Sequence, residues 1–186
     1  MAMVAAVEAR DPYTEQHSIH VAAYAEELAR RAGFSTSQIE IITLAALLHD
    51  VGKIALPDSI LKKPGPLTTD EFEHVKLHPQ FGVSILKPLE FLDEELTLIL
   101  CHHEWFNGSG YPHGLAGNAI PIGARVVQVA DCIDAMLSPR SYRHARTIPE
   151  TILELQRCRG TQFDPNLAVL AIEWLREQRP VDKAAH

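Results

Sequence analysis

The chain of 186 residues lacks several features, and each absence excludes a class of protein. No stretch approaches the ~20 consecutive apolar residues of a membrane span, so we predict no membrane association. The first ten residues, "MAMVAAVEAR", have neither the basic start nor the apolar core of a signal peptide. The three cysteines form no C-x-x-C pair. This scattered spacing favours reduced thiols and therefore a cytoplasmic protein.

An excess of positive charge is also absent, because the formal net charge is -7. Nucleic-acid polymers are bound largely through their phosphates by lysine and arginine, so this charge argues against a polymer ligand. It still permits a small anion bound by a local cluster of metal ions and arginines. Hydrophobic residues make up 46% of the chain, which predicts a globular protein. The length suits one domain, and no linker or internal repeat divides it.

Strand alternation is absent too, and the apolar residues recur with helical periodicity almost everywhere. The run "IEIITLAALLHD" predicts an apolar helix from about residue 35 to Gly52. The capping box Thr68-x-x-Glu71 predicts the start of another helix, which should stop or bend at His78 before a proline. A further helix is expected over residues 93–104. We therefore predict an all-α fold.

One long segment has no helical period. The stretch "WFNGSGYPHGLAGNAIP", residues 105–121, contains four glycines and two prolines. Loops of this length inside compact domains are usually functional or disordered. We call it the glycine-rich loop and expect it to lie at a functional site.

Histidines and aspartates recur where the predicted helices end or face inward. A lone histidine on an apolar face, such as His17, is more often a core residue than a ligand. Asp131 is different, since it lies within the apolar run "VVQVADCIDAML", where a carboxylate is costly unless it is paired or bound to metal. Together these residues favour a metal site over a purely structural explanation. They are His17, His49, Asp50, His78, His102, His103 and Asp131.

The donor set indicates which metals would bind. Imidazole and carboxylate suit first-row divalent ions such as iron, manganese, nickel or zinc, and the lack of cysteine disfavours a structural zinc site. Asp50 could bridge two cations with its two oxygens, beside His49 as a ligand of one. Two cations about 3.5–4 Å apart can activate a shared water for attack on phosphorus. Lys53, one turn further on, would stabilise charge on a phosphate oxygen.

These residues lie in segments that resemble the HD-GYP phosphodiesterases of the HD superfamily. The bare His-Asp pair is a weak signal, but the loop pattern H-H-E-x-x-x-G-x-G-Y-P is highly specific. The matching segments occur in the family's order and cover about residues 10–168. They are "RDPYTEQHS", "LLHDVGKIALPDSIL", "KPGPLTTDEFEHVKLHPQFG", "HHEWFNGSGYPHGLAGNAIP", "ARVVQVADCIDAM", "RSYRHA" and "GTQFDP".

The resemblance implies a single HD-type helical bundle over residues 1–186 that hydrolyses the bacterial second messenger cyclic di-GMP to linear pGpG. Cleavage onward to GMP is left open. One metal would be bound by His17, His49 and Asp131, and the second by His78, His102 and His103, with Asp50 as the bridge. Contacts to substrate are implied for Asp11, Lys53, Gly110, Tyr111, Pro112, Arg140 and Arg143, and Asp134 would lie near the site.

The resemblance also bears on cofactors and partners. Some members bind a third metal with a glutamate at the position of Tyr13, so we predict two metals here, iron or manganese before nickel or zinc. Two rival functions stay open: a weakly catalytic cyclic di-GMP sensor or interaction module, and a phosphodiesterase for a related dinucleotide such as cyclic GMP-AMP. A GGDEF-type diguanylate cyclase partner and a homodimer are further expectations. Members usually carry this domain behind a sensory domain, so the chain stands alone or is an output domain.

Overall fold

Side-chain caps encoded locally in the sequence start several helices. The computed structural model describes residues 16–139 and 144–178. In it, Ser35, Thr68 and Thr147 each accept a hydrogen bond from the backbone N–H three residues further on. Asp164 caps the last helix, with Pro165 in its first turn. Such caps satisfy N–H groups that the helix itself leaves without partners, which is why the helices begin at these residues.

The described residues form helices and no strands, so the all-α prediction is confirmed. No helix within these residues has the length and hydrophobicity to cross a bilayer. Two short 3₁₀ helices, Val51–Ala55 and Gly117–Ala119, lie between α-helices. The α-helices are α1 His17–Arg31, α2 Thr36–Leu48, α3 Asp58–Leu61, α4 Thr69–Val75, α5 His78–Leu86, α6 Asp93–Cys101, α7 Ile122–Leu137, α8 Ile148–Arg157 and α9 Pro165–Glu177.

Helix α7 lies at the centre of the fold. It packs against α1, α2, α6, α8 and α9, and residues 123–130 are all buried. Its first turn approaches its neighbours closely, because a Cβ atom on Gly123 would lie 2.7 Å from the Leu98 side chain and 3.0 Å from that of Ile42. A fully buried Leu or Ile side chain, as at Leu28 or Ile99, contributes roughly 1.5–3 kcal/mol through the hydrophobic effect.

Three helix ends differ from the prediction. Helix α2 ends at Leu48 rather than Gly52, and α6 ends at Cys101 rather than at residue 104. Helix α4 ends at Val75, and His78 begins α5 with its proline in the first turn, where a missing N–H costs nothing. A histidine follows each early end. Its ring N–H donates to a backbone carbonyl that the next turn of the helix would otherwise have bonded.

The glycine-rich loop folds back on the residues that precede it. The Tyr111 N–H donates to the His103 carbonyl (3.1 Å), and the Gly117 N–H donates to the Phe106 carbonyl (2.8 Å). A Cβ atom on Gly110 would lie 2.2 Å from the Trp105 nitrogen and 2.4 Å from the His103 oxygen. The backbone therefore passes where only glycine fits, and the loop is packed against the end of α6.

Candidate metal centre

Three histidines close the last turns of helical segments in the same way. Each Nδ1–H donates to the backbone carbonyl three residues earlier, which the ending helix leaves without a partner. The pairs are His49 with Ala46 (2.6 Å), His78 with Val75 (2.7 Å) and His102 with Ile99 (2.6 Å). With the proton on Nδ1, each Nε2 presents a lone pair on the other side of the ring. That tautomer is the one that binds a metal ion through Nε2.

His17, at the start of α1, is oriented by a carboxylate instead. Its Nδ1–H donates to Oδ2 of Asp134 on α7 at 2.6 Å. The other oxygen of Asp134 accepts from the Ser138 hydroxyl at 3.1 Å and lies 3.2 Å from Nδ1 of His20. Burial alone would raise the pKa of Asp134, but the hydrogen bond from His17 outweighs it and lowers that pKa. Asp134 is thus an ionised carboxylate that directs His17 Nε2 toward the site.

All seven side chains nominated as ligands lie together. Their metal-binding atoms form two groups, and within each triad these atoms lie within 4.8 Å of one another. The first triad is His17, His49 and Asp50, and the second is His78, His102 and His103. Asp131 extends the first group, with Oδ1 3.5 Å from Nε2 of His17. The rings of His49 and His102 pack edge to face with their centroids 5.1 Å apart, so the two groups are adjacent.

Asp50 lies between the two groups with one oxygen toward each. Its Oδ1 is 3.4 Å from Nε2 of His78. Its Oδ2 is 3.4 Å from Nε2 of His49 and 3.7 Å from Nε2 of His17. Lys53 Nζ also donates to Oδ2, at 2.5 Å. A carboxylate placed in this way has the geometry of a bridge between two cations.

Two observations indicate that cations fit this site. The Nε2 atoms of His78 and His102 lie 3.4 Å apart. Because both Nδ1 atoms are donors to carbonyls, these Nε2 atoms present two lone pairs that repel each other unless a cation lies near both. Among the described residues, the buried Nε2 of His49 has no hydrogen-bond partner. First-row cations bind imidazole nitrogen at about 2.0–2.1 Å, so nitrogens 3.4 Å apart can share one ion.

The pKa values describe three neutral imidazoles and one protonated imidazole around an ionised carboxylate. Burial would lower the pKa of His49, but the charge of Asp50 outweighs it and raises that pKa to about 9, so a metal ion bound at His49 would replace its proton. Burial lowers the pKa of His78 to about 4, and it lowers the pKa values of His102 and His103 well below the usual range. Burial would raise the pKa of Asp50, but the charges of Lys53 and His49 outweigh it and lower that pKa strongly. Neutral imidazole and ionised carboxylate are the forms that bind a metal ion.

Of the predicted substrate contacts, Lys53 and the Gly110-Tyr111-Pro112 segment border the centre. The Tyr111 ring stacks on the His103 ring, with centroids 4.7 Å apart and planes 28° apart. Burial raises the pKa of Tyr111, so the phenol stays neutral. Asp11, Arg140 and Arg143 lie outside the described residues, as does Tyr13 at the position of a third-metal ligand.

The sequence analysis missed Glu104, which is only 1% exposed. Its carboxylate accepts backbone hydrogen bonds from His113 and Leu115 in the glycine-rich loop. The signal was present, because a charged residue directly follows His102 and His103 at the end of an apolar helix. His20, which is not among the predicted ligands, lies against Asp134 on the outer side of the site.

Comparison with known proteins finds relatives named as cyclic-dinucleotide phosphodiesterases. The chain is 44% identical over 162 residues to "Cyclic di-GMP phosphodiesterase response regulator RpfG" of Xanthomonas campestris pv. campestris, covering 86% of this chain and 43% of that protein. It is 41% identical over 170 residues to "3'3'-cGAMP-specific phosphodiesterase 2" of Vibrio cholerae, covering 90% and 33%. The chain thus spans less than half the length of these curated relatives.

A solved structure of a cyclic GMP-AMP-specific phosphodiesterase of Vibrio cholerae has the same fold. The TM-score is 0.72 at 21% identity, covering 95% of this chain and 48% of that one. The HD domain family model matches residues 2–167. The chain therefore belongs to the HD domain family, as its motifs predicted.

Proposed function

We propose that this chain is a metal-dependent phosphodiesterase that hydrolyses cyclic di-GMP to linear pGpG. The observation that carries the proposal is Asp50, whose two oxygens face two separate groups of histidines. A single buried carboxylate placed between two imidazole clusters has little structural use, but it suits a pair of cations. Support also comes from a relative at 44% identity that is named a cyclic di-GMP phosphodiesterase.

The two cations would be bound by the two groups of the centre, and iron or manganese fits the mixed imidazole and carboxylate donors best. When bound, such ions supply Lewis acidity toward a phosphate and lower the pKa of a water. Asp131 completes the first group through its proximity to His17. The His78–His102–His103 triad of the second group contains no carboxylate of its own, so Asp50 would supply its negative charge.

The chain's own residues would bind and orient the phosphodiester. Lys53 lies in the middle of the Val51–Ala55 segment. Its side chain is 23% exposed, so it can reach a phosphate oxygen at the edge of the centre. Tyr111 forms a wall beside His103 and offers an aromatic face to a base. The contacts of Asp11, Arg140 and Arg143 with phosphate stay predictions, as do a GGDEF-type partner, a homodimer, a bacterial cytoplasmic location and a second cut to GMP.

Cyclic GMP-AMP is a second candidate substrate, because a relative at 41% identity is named a 3'3'-cGAMP-specific phosphodiesterase. The described side chains provide the same phosphate chemistry for either dinucleotide. A direct comparison of kcat/KM for the two substrates decides between them.

The test combines metal analysis of anaerobically purified protein with cleavage assays on both dinucleotides. We expect about two metal ions per chain and turnover of cyclic di-GMP to pGpG. Asp50→Asn should abolish turnover and reduce bound metal, whereas Asp58→Asn, an exposed aspartate paired with Lys62 nearby, should change neither. A metal-loaded protein that binds cyclic di-GMP tightly but never cleaves it would instead identify a sensor.

A further inference from the structure

His103 is oriented differently from the other four histidines of the centre. Those four have Nδ1 engaged by a carbonyl or by Asp134. Within the described part of the chain, the His103 side chain makes no hydrogen bond. Its ring is instead packed against three other rings. The distances between ring centroids are 4.7 Å to Tyr111, 4.0 Å to His102 and 5.0 Å to His78. Stacking is therefore the interaction that orients its ring.

Tyr111 is the member of this stack that lies outside the metal centre. It is fixed from the backbone side, since its N–H donates to the His103 carbonyl at 3.1 Å. The adjacent Gly110 packs so tightly against residues 103–105 that no Cβ fits there. Tyr111 thus contacts His103 both through its ring and through its backbone N–H.

Glu104 fastens the loop on the far side of Tyr111. Its Oε1 accepts from the His113 N–H at 2.6 Å and its Oε2 from the Leu115 N–H at 2.9 Å. The Gln128 side-chain amide donates to the Glu104 carbonyl, which ties this residue to α7. Among the described residues no lysine or arginine pairs with Glu104, so the two loop N–H groups satisfy its buried charge. Removing such an acceptor is destabilising, because buried donors are left without partners.

We propose that Tyr111 and Glu104 are positioning residues for the metal ligand His103. Tyr111 orients the imidazole by stacking, in place of the Nδ1 hydrogen bond that its neighbours have, and Glu104 keeps Tyr111 in that position. The glycine-rich loop then supports the His78–His102–His103 group from outside the set of metal ligands. This inference rests on the proposed metal binding. Outer contacts of this kind change metal affinity by roughly 10–100-fold when removed.

The first test separates the ring from its hydroxyl. Metal-free protein is titrated with Co²⁺, and the visible absorption of the bound ion reports both affinity and ligand geometry. We expect Tyr111→Leu to weaken one of the two Co²⁺ sites by roughly 10–100-fold and to alter its spectrum. Tyr111→Phe, which keeps the ring, should match wild type. Trp105→Leu is the matched control, since it removes another loop aromatic that is 38% exposed and should leave both sites unchanged.

The second test weakens the hydrogen bonds between Glu104 and the loop without changing the Tyr111 ring. Glu104→Gln replaces one acceptor oxygen with an amide that faces a backbone donor, and we expect the same Co²⁺ site to weaken. Asp164→Asn alters a comparable buried carboxylate, which caps α9 and pairs with Arg125, and it should lower stability without changing Co²⁺ binding. Circular dichroism and thermal melting confirm that each variant is folded.

The outcomes distinguish failure of the positioning role from failure of the proposed metal binding. If wild type binds no Co²⁺, the metal proposal fails and the positioning role fails with it. If wild type binds two ions and Tyr111→Leu binds both with wild-type affinity, only the positioning role is refuted. Loss of affinity in Tyr111→Phe as large as in Tyr111→Leu would also refute it, because the ring would then not be the cause.

Discussion

Replacing Gly52 by alanine should disable the metal centre without removing any polar side chain. Gly52 lies in the Val51–Ala55 segment, directly against the first turns of α5. A Cβ atom at this position would lie 1.9 Å from the His78 carbonyl oxygen and 2.5 Å from the Gly82 nitrogen. Both neighbours are backbone atoms of a packed helix, so no side-chain rotation can relieve the overlap.

The size of the effect follows from these distances. Ordinary contacts of a Cβ atom begin near 3.4 Å, so the two backbones must separate by about 1.5 Å, the difference from the 1.9 Å contact. Asp50 precedes this segment and His78 begins α5, and their facing ligand atoms are now 3.4 Å apart. A shift of that size carries these atoms to about 5 Å, beyond the ~4.2 Å that two ligands of one cation can span.

Two magnitudes are therefore expected. Misplacement by about 1 Å lowers catalytic efficiency by roughly 100-fold, and bound metal should fall in parallel. Overpacking also destabilises the fold by about 1–3 kcal/mol. For a chain of this size each kcal/mol lowers Tm by roughly 2–4 °C, so Tm should fall by roughly 2–12 °C.

The matched control is Gly82→Ala on the opposite side of the same contact. A Cβ atom there would lie 3.5 Å from the Gly52 nitrogen, the Ile99 side chain and the Val51 side chain, which is ordinary packing. Alanine inside a helix is also favoured over glycine by up to about 1 kcal/mol. Metal content, Tm and turnover are measured for both variants. A Gly52→Ala protein with wild-type metal content and Tm would refute the reasoning.

Two further predictions concern the centre. Divalent metal at 100 times its Kd should stabilise the native state by about 2.7 kcal/mol, which corresponds to a Tm increase of roughly 5–11 °C; calorimetry with and without chelator measures it, and an unchanged Tm would mean that the native state has no preferential site. Asp134→Ala should free the His17 ring and weaken metal binding at the first group by roughly 10–100-fold. His20→Ala removes a half-exposed contact with the same carboxylate and should have little effect, so equal losses in these two variants would contradict the role given to Asp134.

The sequence by itself determined the class of fold and the starts of several helices. The capping box at Thr68 is an interaction over three residues, so it is readable without any tertiary information. The sequence also nominated the seven candidate ligands, because imidazoles and carboxylates at the ends of apolar runs are costly unless they are paired or bound to metal. Motif order then connected them to the HD family.

Only the tertiary structure decided how these groups are arranged. The predicted ends of α2 and α6 were wrong because His49 and His102 satisfy the last carbonyls with their side chains, which no periodicity records. The division of the Asp50 oxygens between two clusters depends on where α5 packs. His17 meets Asp134 across 117 residues of chain. Contacts of that separation are set by the packing of whole helices, so no local pattern encodes them, and the geometry of the site follows from the core.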